Sequence, residues 1–308
     1  MKSVSCFAAK TKNLDLLMSS TSGGVFAELA QVALAKNGLV VGASWEQSTF
    51  RVVHRCVDNV ADIKYVQGSK YSVSDLSNVF DQIRKALSNK RIVLFSGTPC
   101  QTAAVRKIFG NNPYLYLVSL ICMANADANL WLQYVKELKK RFRSDIVDIR
   151  QRCKFNDKAG TYFVVKCNDP AECLVESLYE NKYWKQFISH PRHVCQHCQF
   201  KCGKGMSDLQ IGDFWGIHKC LPDFDSKYGV SAIIVYTNKG NELLDQSDLL
   251  LQEVGYDQIL KGNPYLEKSY IWKRESVVAM IKARIRMVMK SFRKFIVRIS
   301  PYGKRRCM

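Results

Sequence analysis

The chain has 308 residues, 47% of them apolar and 24% charged, with a formal net charge of +19 at pH 7. That length and apolar content support a buried core in one large domain or two small ones. No run of about 18 apolar residues occurs, and only Lys2 precedes an N-terminus without a long apolar stretch, so the composition argues against a membrane-spanning helix and a secretory signal, and for a cytoplasmic protein.

The predicted elements alternate at first. Residues 25–36 have helical periodicity and end at Asn37-Gly38, a favourable C-cap pair. Residues 39–45 and 50–57 read as two strands of a hairpin-like pair. Residues 75–89 form an amphipathic helix, 92–95 a short buried strand, and 99–109 a helix with proline in its first turn. Residues 115–121 give another buried strand and 130–142 another helix. The second half reads as richer in strands, at 146–152, 162–167, 209–213 and 232–236, with one helix over 178–188 and a cysteine-rich loop over 193–205. The fold class expected is mixed α/β: an open sheet with strand–helix–strand units, the cysteine-rich loop and a basic C-terminal helix.

Three stretches suit an anionic or aromatic ligand. The run from Ser19 into Ser22-Gly23-Gly24 leads into the first predicted helix, where backbone N–H groups face a dinucleotide pyrophosphate or simply make an ordinary N-cap. Gly97-Thr98-Pro99 is a second strand-to-helix turn of the same kind. Gly68-Ser69-Lys70-Tyr71 pairs a cation with a ring in a turn, as flavin sites often do. The glycines and rings of Ile211-Gly212-Asp213-Phe214-Trp215-Gly216 suggest a tight turn, either beside a cofactor or in the core.

Twelve cysteines are many for a reducing compartment, where disulfides are rare. Cys56, Cys153, Cys167 and Cys173 lie in or near strand-like runs and read as packing residues. Cys195-x2-Cys198-x3-Cys202 is a metal-binding pattern that by itself suits zinc, with His193 or His197 as further ligands, as well as an iron–sulfur cluster. Cys100 and Cys122 favour the cluster. Residues 92–121 read strand–helix–strand, so the two strands run parallel and both cysteines emerge beyond their carboxyl ends, at the edge where open α/β sheets bind ligands. Cys100 also opens a helix, whose dipole favours a thiolate. Two converging thiolates and a Cys-x2-Cys loop supply four sulfur ligands; the alternative is that Cys122 is only a buried strand-end residue.

Together these stretches resemble the beta-subunit family of coenzyme F-420 hydrogenases and dehydrogenases. The matching pieces are Ser-Gly-Gly-Val-Phe at 22–26, Gly-Ser-Lys-Tyr at 68–71, Phe-Ser-Gly-Thr-Pro-Cys-Gln at 95–101, the Cys122 strand end, Cys-x2-Cys at 195–198, and Ser-Asp-x3-Gly-Asp-Phe-Trp-Gly at 207–216. The resemblance implies an electron-transfer oxidoreductase that binds FAD, near Ser22, Gly23, Gly24, Lys70, Tyr71, Gly97, Thr98, Pro99 and Gln101. It also implies a [4Fe–4S] cluster on Cys100, Cys122, Cys195 and Cys198, with Cys202 the natural substitute for any one of them. A deazaflavin or a ferredoxin-like protein is the expected redox partner, and no catalytic residue is assigned. Two departures stand out. The cysteine-dense ferredoxin-like segment at the N-terminus of many relatives is missing, since only Cys6 precedes Cys56. Where relatives often carry Phe-Arg-Asp-Lys, this chain has Phe155-Asn156-Asp157-Lys158 before Gly160.

The charge divides the chain into 1–270, a flavin and iron–sulfur domain, and 271–308, which holds 12 Lys and Arg against the single acid Glu275. Residues 277–299 interleave apolar and basic side chains at helical spacing. Such a helix packs on the domain with a solvated basic face, or docks on an anionic membrane surface or an acidic redox partner; specific nucleic-acid binding is not expected. The rival from another class is a zinc-stabilised, non-enzymatic binding protein that uses this tail on nucleic acid or membrane.

Overall fold

A computed structural model describes residues 4–155 and 158–271. The chain divides into two compact units, Met1–Tyr270 and Ile271–Met308. The basic helix predicted over 277–299 lies outside the described residues, as does all of 271–308 apart from Ile271.

The strands of the first unit are β1 (Ser5–Thr11), β2 (Leu39–Trp45), β3 (Val52–Val57), β4 (Val93–Gly97), β5 (Leu115–Leu120), β6 (Ile146–Phe155), β7 (Lys158–Cys167), β8 (Leu174–Ser177), β9 (Leu209–Asp213), β10 (Ser231–Val235) and β11 (Leu249–Glu253). The helices are α1 (Leu14–Ser19), α2 (Val25–Ala35), α3 (Ile63–Val66), α4 (Phe80–Ser88), α5 (Pro99–Phe109), α6 (Ala128–Arg141), α7 (Lys182–Ser189), α8 (His193–Gln196), α9 (Ile217–Cys220), α10 (Asn238–Asp245) and α11 (Tyr256–Gly262).

Eight strands form one mixed sheet in the order β11-β1-β10-β9-β5-β4-β2-β3. Its middle, β2, β4, β5 and β9, is parallel, and antiparallel strands flank it on both sides. The parallel part is covered on both faces, which is why β4 is buried throughout and opens on the apolar run Val93-Leu94-Phe95. Its alternation sorts side chains to two cores. Val93 and Phe95, with Leu115 and Leu117 of β5, pack against Ile83 of α4 and Val105 of α5. Leu94 and Val118 face the other way, onto Leu29 and Ala33 of α2. A separate three-stranded antiparallel sheet, β6-β7-β8, carries a third core with Trp131 and Tyr134 of α6 and Tyr183 and Phe187 of α7.

The mixed α/β class, the hairpin-like β2–β3 pair and the parallel β4–α5–β5 unit agree with the sequence reading. Other elements differ. The strands predicted over 209–213 and 232–236 are β9 and β10, and they join the first-half strands in the main sheet rather than a β-rich second half. β1, β8, β11 and α10 have no counterpart among the predicted elements. β1 pairs with β10 and β11, more than 200 residues away, so its place depends on partners no local window contains. The helix predicted over 75–89 begins only at Phe80, because Asp75 is taken by β3: its N–H donates to the Val52 carbonyl and its carbonyl accepts from His54 N–H. The helix predicted from 178 begins at Lys182, where the Asn181 side chain caps the Trp184 N–H.

Candidate functional site

The carboxyl ends of β4, β5 and β9 open onto a cavity of about 460 Å³, within the range of roughly 300–1,000 Å³ typical of small-molecule sites. It is walled by the loop before α2, by 66–72, by the β4–α5 turn, by 120–125 after β5, by the end of β9, and by Arg152, Trp184 and Phe187 from the smaller sheet and its helix. Ser22, Gly24, Lys70, Tyr71, Gly97, Thr98 and Gln101 line it. Gly23 and Pro99 do not. Gly23 is wedged in the main sheet, where an added Cβ would stand 2.3 Å from the Ala9 carbonyl oxygen. Pro99 is buried at the first position of α5.

Two helix starts face the cavity. Gly24 caps α2 in the left-handed region, φ 83°, and supplies no side-chain acceptor to the first-turn N–H groups. Thr98 caps α5, with the Gln101 Oε1 accepting the Thr98 N–H at 2.9 Å. The Gln101 Nε2 donates to Ser74 Oγ at 2.8 Å, so both ends of that amide have partners inside the protein. The loop before α2 is held from below by Lys154 of β6. Its ammonium donates to the carbonyls of Leu17, Ser20 and Ser22, the last two at 2.8 Å. Burial lowers the Lys154 pKa to about 8.

Lys70 reaches back over its own turn, donating to the Gln67 carbonyl at 2.8 Å, with longer contacts to Gly68 and Tyr65. Burial pushes its pKa down to about 7. His54 of β3, 3% exposed, stacks on Phe95 and places Nε2 at 3.0 Å from the Ser96 carbonyl. A carbonyl only accepts, so Nε2 carries the proton, and burial, with the Lys70 cation, lowers the pKa to about 4. Two buried acceptors of cavity-lining residues, His54 Nδ1 and Asn125 Oδ1, have no protein partner. Rings gather on the far wall: Tyr71 meets Trp184 edge-on at 4.8 Å and Phe187 at 5.5 Å between centroids.

Arg152 ties this wall to the main sheet. Its guanidinium donates to both carboxylate oxygens of Asp213, at 2.5 and 3.0 Å, and lies 5.1 Å from the Trp215 ring centre. Although burial alone would lower its pKa, Tyr71 and Asp213 hold it above the usual range. Sequence reasoning missed Arg152, His54 and Trp184. Arg152 and Lys154, two apart on one strand face, were the available signal, next to the Phe155-Asn156-Asp157-Lys158 window that departs from the relatives' pattern.

Beside the cavity lie the cysteines. Cys100 is the second residue of α5, with Sγ 3.1 Å from Thr98 Oγ1. Cys122 follows β5 and lines the cavity. Cys195 lies in α8, and the Cys198 N–H donates to Ser269 Oγ at 3.1 Å. Burial pushes the Cys122 thiol up to about 12; the Lys201 cation opposes this, while Cys100, Cys195 and Cys198 add to it. Cys195 is raised by burial and, in turn, by Cys100 and Cys198. Cys122 and Cys195 thus share Cys100 and Cys198 as neighbours. Cys202 is turned elsewhere: its N–H donates to the Leu266 carbonyl, and its Sγ faces the Glu267 carbonyl at 3.9 Å. Among the described residues, no group of three or more His, Cys, Asp or Glu side chains is drawn together as around one metal ion. A tetrahedral zinc with bonds of about 2.3 Å would bring its sulfurs to about 3.8 Å of one another; a four-iron cluster spreads them further apart.

Known proteins place the chain. The family described as the C-terminal part of the coenzyme F420 hydrogenase/dehydrogenase beta subunit matches residues 90–252. No curated protein matches the chain in sequence. Among solved structures, it is similar to a chain of the xenon-derivatised F420-reducing [NiFe] hydrogenase complex from Methanosarcina barkeri, with 17% identity, 86% of this chain and 89% of that chain covered, and a TM-score of 0.57. At that identity the likeness speaks for the fold. The family match spans more than half of the sequence and includes the β4–α5 turn, the Cys122 strand end, the Cys-x2-Cys loop and the Asp213 turn, and the chain belongs to the beta-subunit family of coenzyme F420 hydrogenases and dehydrogenases.

Proposed function

We propose that this protein is an electron-transfer oxidoreductase that holds FAD in the cavity and a [4Fe–4S] cluster on Cys100, Cys122, Cys195 and Cys198. Membership of a hydrogenase and dehydrogenase family supports redox work in general. The observation that carries the finer reading is that Cys122, which lines the cavity, has the thiols of Cys100, Cys195 and Cys198 as its neighbours.

The residues fit both groups. The donor set is all sulfur, which suits an iron–sulfur centre. The cavity offers two helix starts to a pyrophosphate, a lysine, a ring-rich wall and buried acceptors without protein partners, as a flavin nucleotide requires. When bound, a flavin takes up hydride equivalents and a cluster passes electrons singly, so the pair converts one currency into the other.

The chain's own groups do the rest. Gly24 and Thr98 present N–H-rich turns to the phosphates, and Lys154 holds the first of these turns in place. Lys70 supplies a cation whose charge responds to pH near neutrality. Tyr71, Trp184 and Phe187 give a flat ring a wall and keep water from one side. Arg152, paired with Asp213, fixes that wall against the sheet. A redox protein is the natural partner, as the similar hydrogenase chain is itself part of a complex. No helix among the described residues is long and apolar enough to cross a membrane.

The test is composition. Protein purified without oxygen should carry about one FAD and four irons with matching sulfide per chain, and be brown-yellow. A colourless protein holding one zinc would overturn the reading in favour of a zinc-stabilised binding protein.

A further inference from the structure

Lys201 stands between Cys198 and Cys202, and its side chain is 9% exposed. Its ammonium donates to the carbonyl of Cys122 at 2.6 Å and of Tyr265 at 2.8 Å, with a longer contact to Met123 at 3.4 Å. These bonds satisfy its N–H groups but not its charge. Among the described residues no Asp or Glu oxygen lies within 4.0 Å of it. Other inward-facing lysines are different: Lys239 lies 3.7 Å from Asp208, and Lys154 and Lys70 feel Asp213 and Asp148. A buried cation without a counter-anion is costly. The Cys122 thiol feels this cation, and it would become a thiolate once bound to a metal centre.

We infer that Lys201 is the fixed counter-cation of the thiolate site, a positioning residue that raises the reduction potential of an anionic iron–sulfur centre on Cys100, Cys122, Cys195 and Cys198. The inference rests on the cluster reading above. Reduction brings one electron from an external reductant and makes the centre more negative by one charge. A nearby fixed cation stabilises the more negative, reduced state more than the oxidised state, so its removal makes the centre harder to reduce. The same bond to the Cys122 carbonyl also ties the cysteine loop to the strand end that carries Cys122.

The experiment compares the full-length wild type with Lys201→Arg and Lys201→Gln, all purified without oxygen. Iron and sulfide are measured first, then the midpoint potential by dithionite titration followed by electron paramagnetic resonance. Lys201→Gln keeps hydrogen-bond donors and loses the charge; it should shift the one-electron equilibrium at least tenfold towards the oxidised state, a fall of about 59 mV, or lose iron. Lys201→Arg keeps the charge and should stay near wild type in both measures. A Gln variant with wild-type iron and potential overturns the inference, and so does an Arg variant that fails as the Gln variant does, since the role is then a steric tie. A wild-type chain without iron and sulfide defeats the cluster reading itself, a result visible before any variant is compared.

Discussion

The thiol corner and the cavity wall share Cys122 but are assembled differently. The corner draws its four thiols from one short cysteine-rich segment and two strand ends, and the residue type alone names the chemistry proposed for it. The cavity wall is gathered from many separate segments, and many of its polar groups are already engaged inside the protein: Gln101 with Thr98 and Ser74, Arg152 with Asp213, Lys70 with the Gln67 carbonyl. A metal centre needs particular atoms, whereas a large ligand needs a shaped and rigid surface. Losses at the corner should therefore be all-or-none, and losses along the wall graded.

Cys122→Ala gives the sharpest version of the contrast. It should strip nearly all iron from the protein, while Cys202→Ala, whose thiol faces the Glu267 carbonyl, should keep it. A full iron complement in Cys122→Ala, measured with sulfide per chain, would move the site away from the β5 end. On the wall, the largest effect should come from Arg152→Met. Leaving Asp213 alone beside the cavity should cost about 3 kcal/mol in denaturant unfolding, and replacing Asp213 as well, with Leu, should recover much of it. A double variant no more stable than Arg152→Met would show that the pair is not coupled.

A smaller, ligand-specific loss is expected at Gly24→Glu, which sets bulk and negative charge at the α2 start. FAD affinity should fall at least tenfold, about 1.4 kcal/mol, and further than in Gly24→Ala, which bears the same backbone strain at φ 83°. Equal affinities for the two variants, by flavin titration, would remove the phosphate role. Lys70 gives a pH-dependent term. With a ligand-free pKa of about 7, it is charged below that pH and favours an anion there. FAD affinity should decline as pH rises from 6 to 8.5, by at most about tenfold per unit above pH 7, and Lys70→Met should flatten the profile. The least change is expected at Thr98→Ala, which costs about 1 kcal/mol of helix capping; unchanged FAD occupancy there would show that the residue serves α5 more than the ligand.

Much of this arrangement was legible in the residues. Buried strands and amphipathic helices carry their periodicity locally, so the β4–α5–β5 unit, and with it the convergence of Cys100 and Cys122 on one sheet edge, followed from spacing and the parallel-crossover rule. Cys-x2-Cys is a spacing that needs no tertiary context to be recognised. The residues proposed to hold a cofactor were less legible. Gly23 and Gly24 look alike in sequence, yet one is wedged against the sheet and the other caps a helix at the cavity. Gln101 sits in a family motif, and its amide is spent on the cap of its own helix and on Ser74.

What the sequence by itself determined is therefore pattern with a local signature: cysteines at short spacing, glycines before helices, apolar periodicity. Only the tertiary structure decided that β1 enters the sheet between β10 and β11, that Arg152 finds Asp213 across 61 positions, that Cys202 turns away from its neighbours, and that Lys201 is buried against Cys122 without an acid. These outcomes depend on which distant backbone fills the space beside each residue. Side-chain type limits the possible partners, but burial and charge balance select among them only after the sheet has closed.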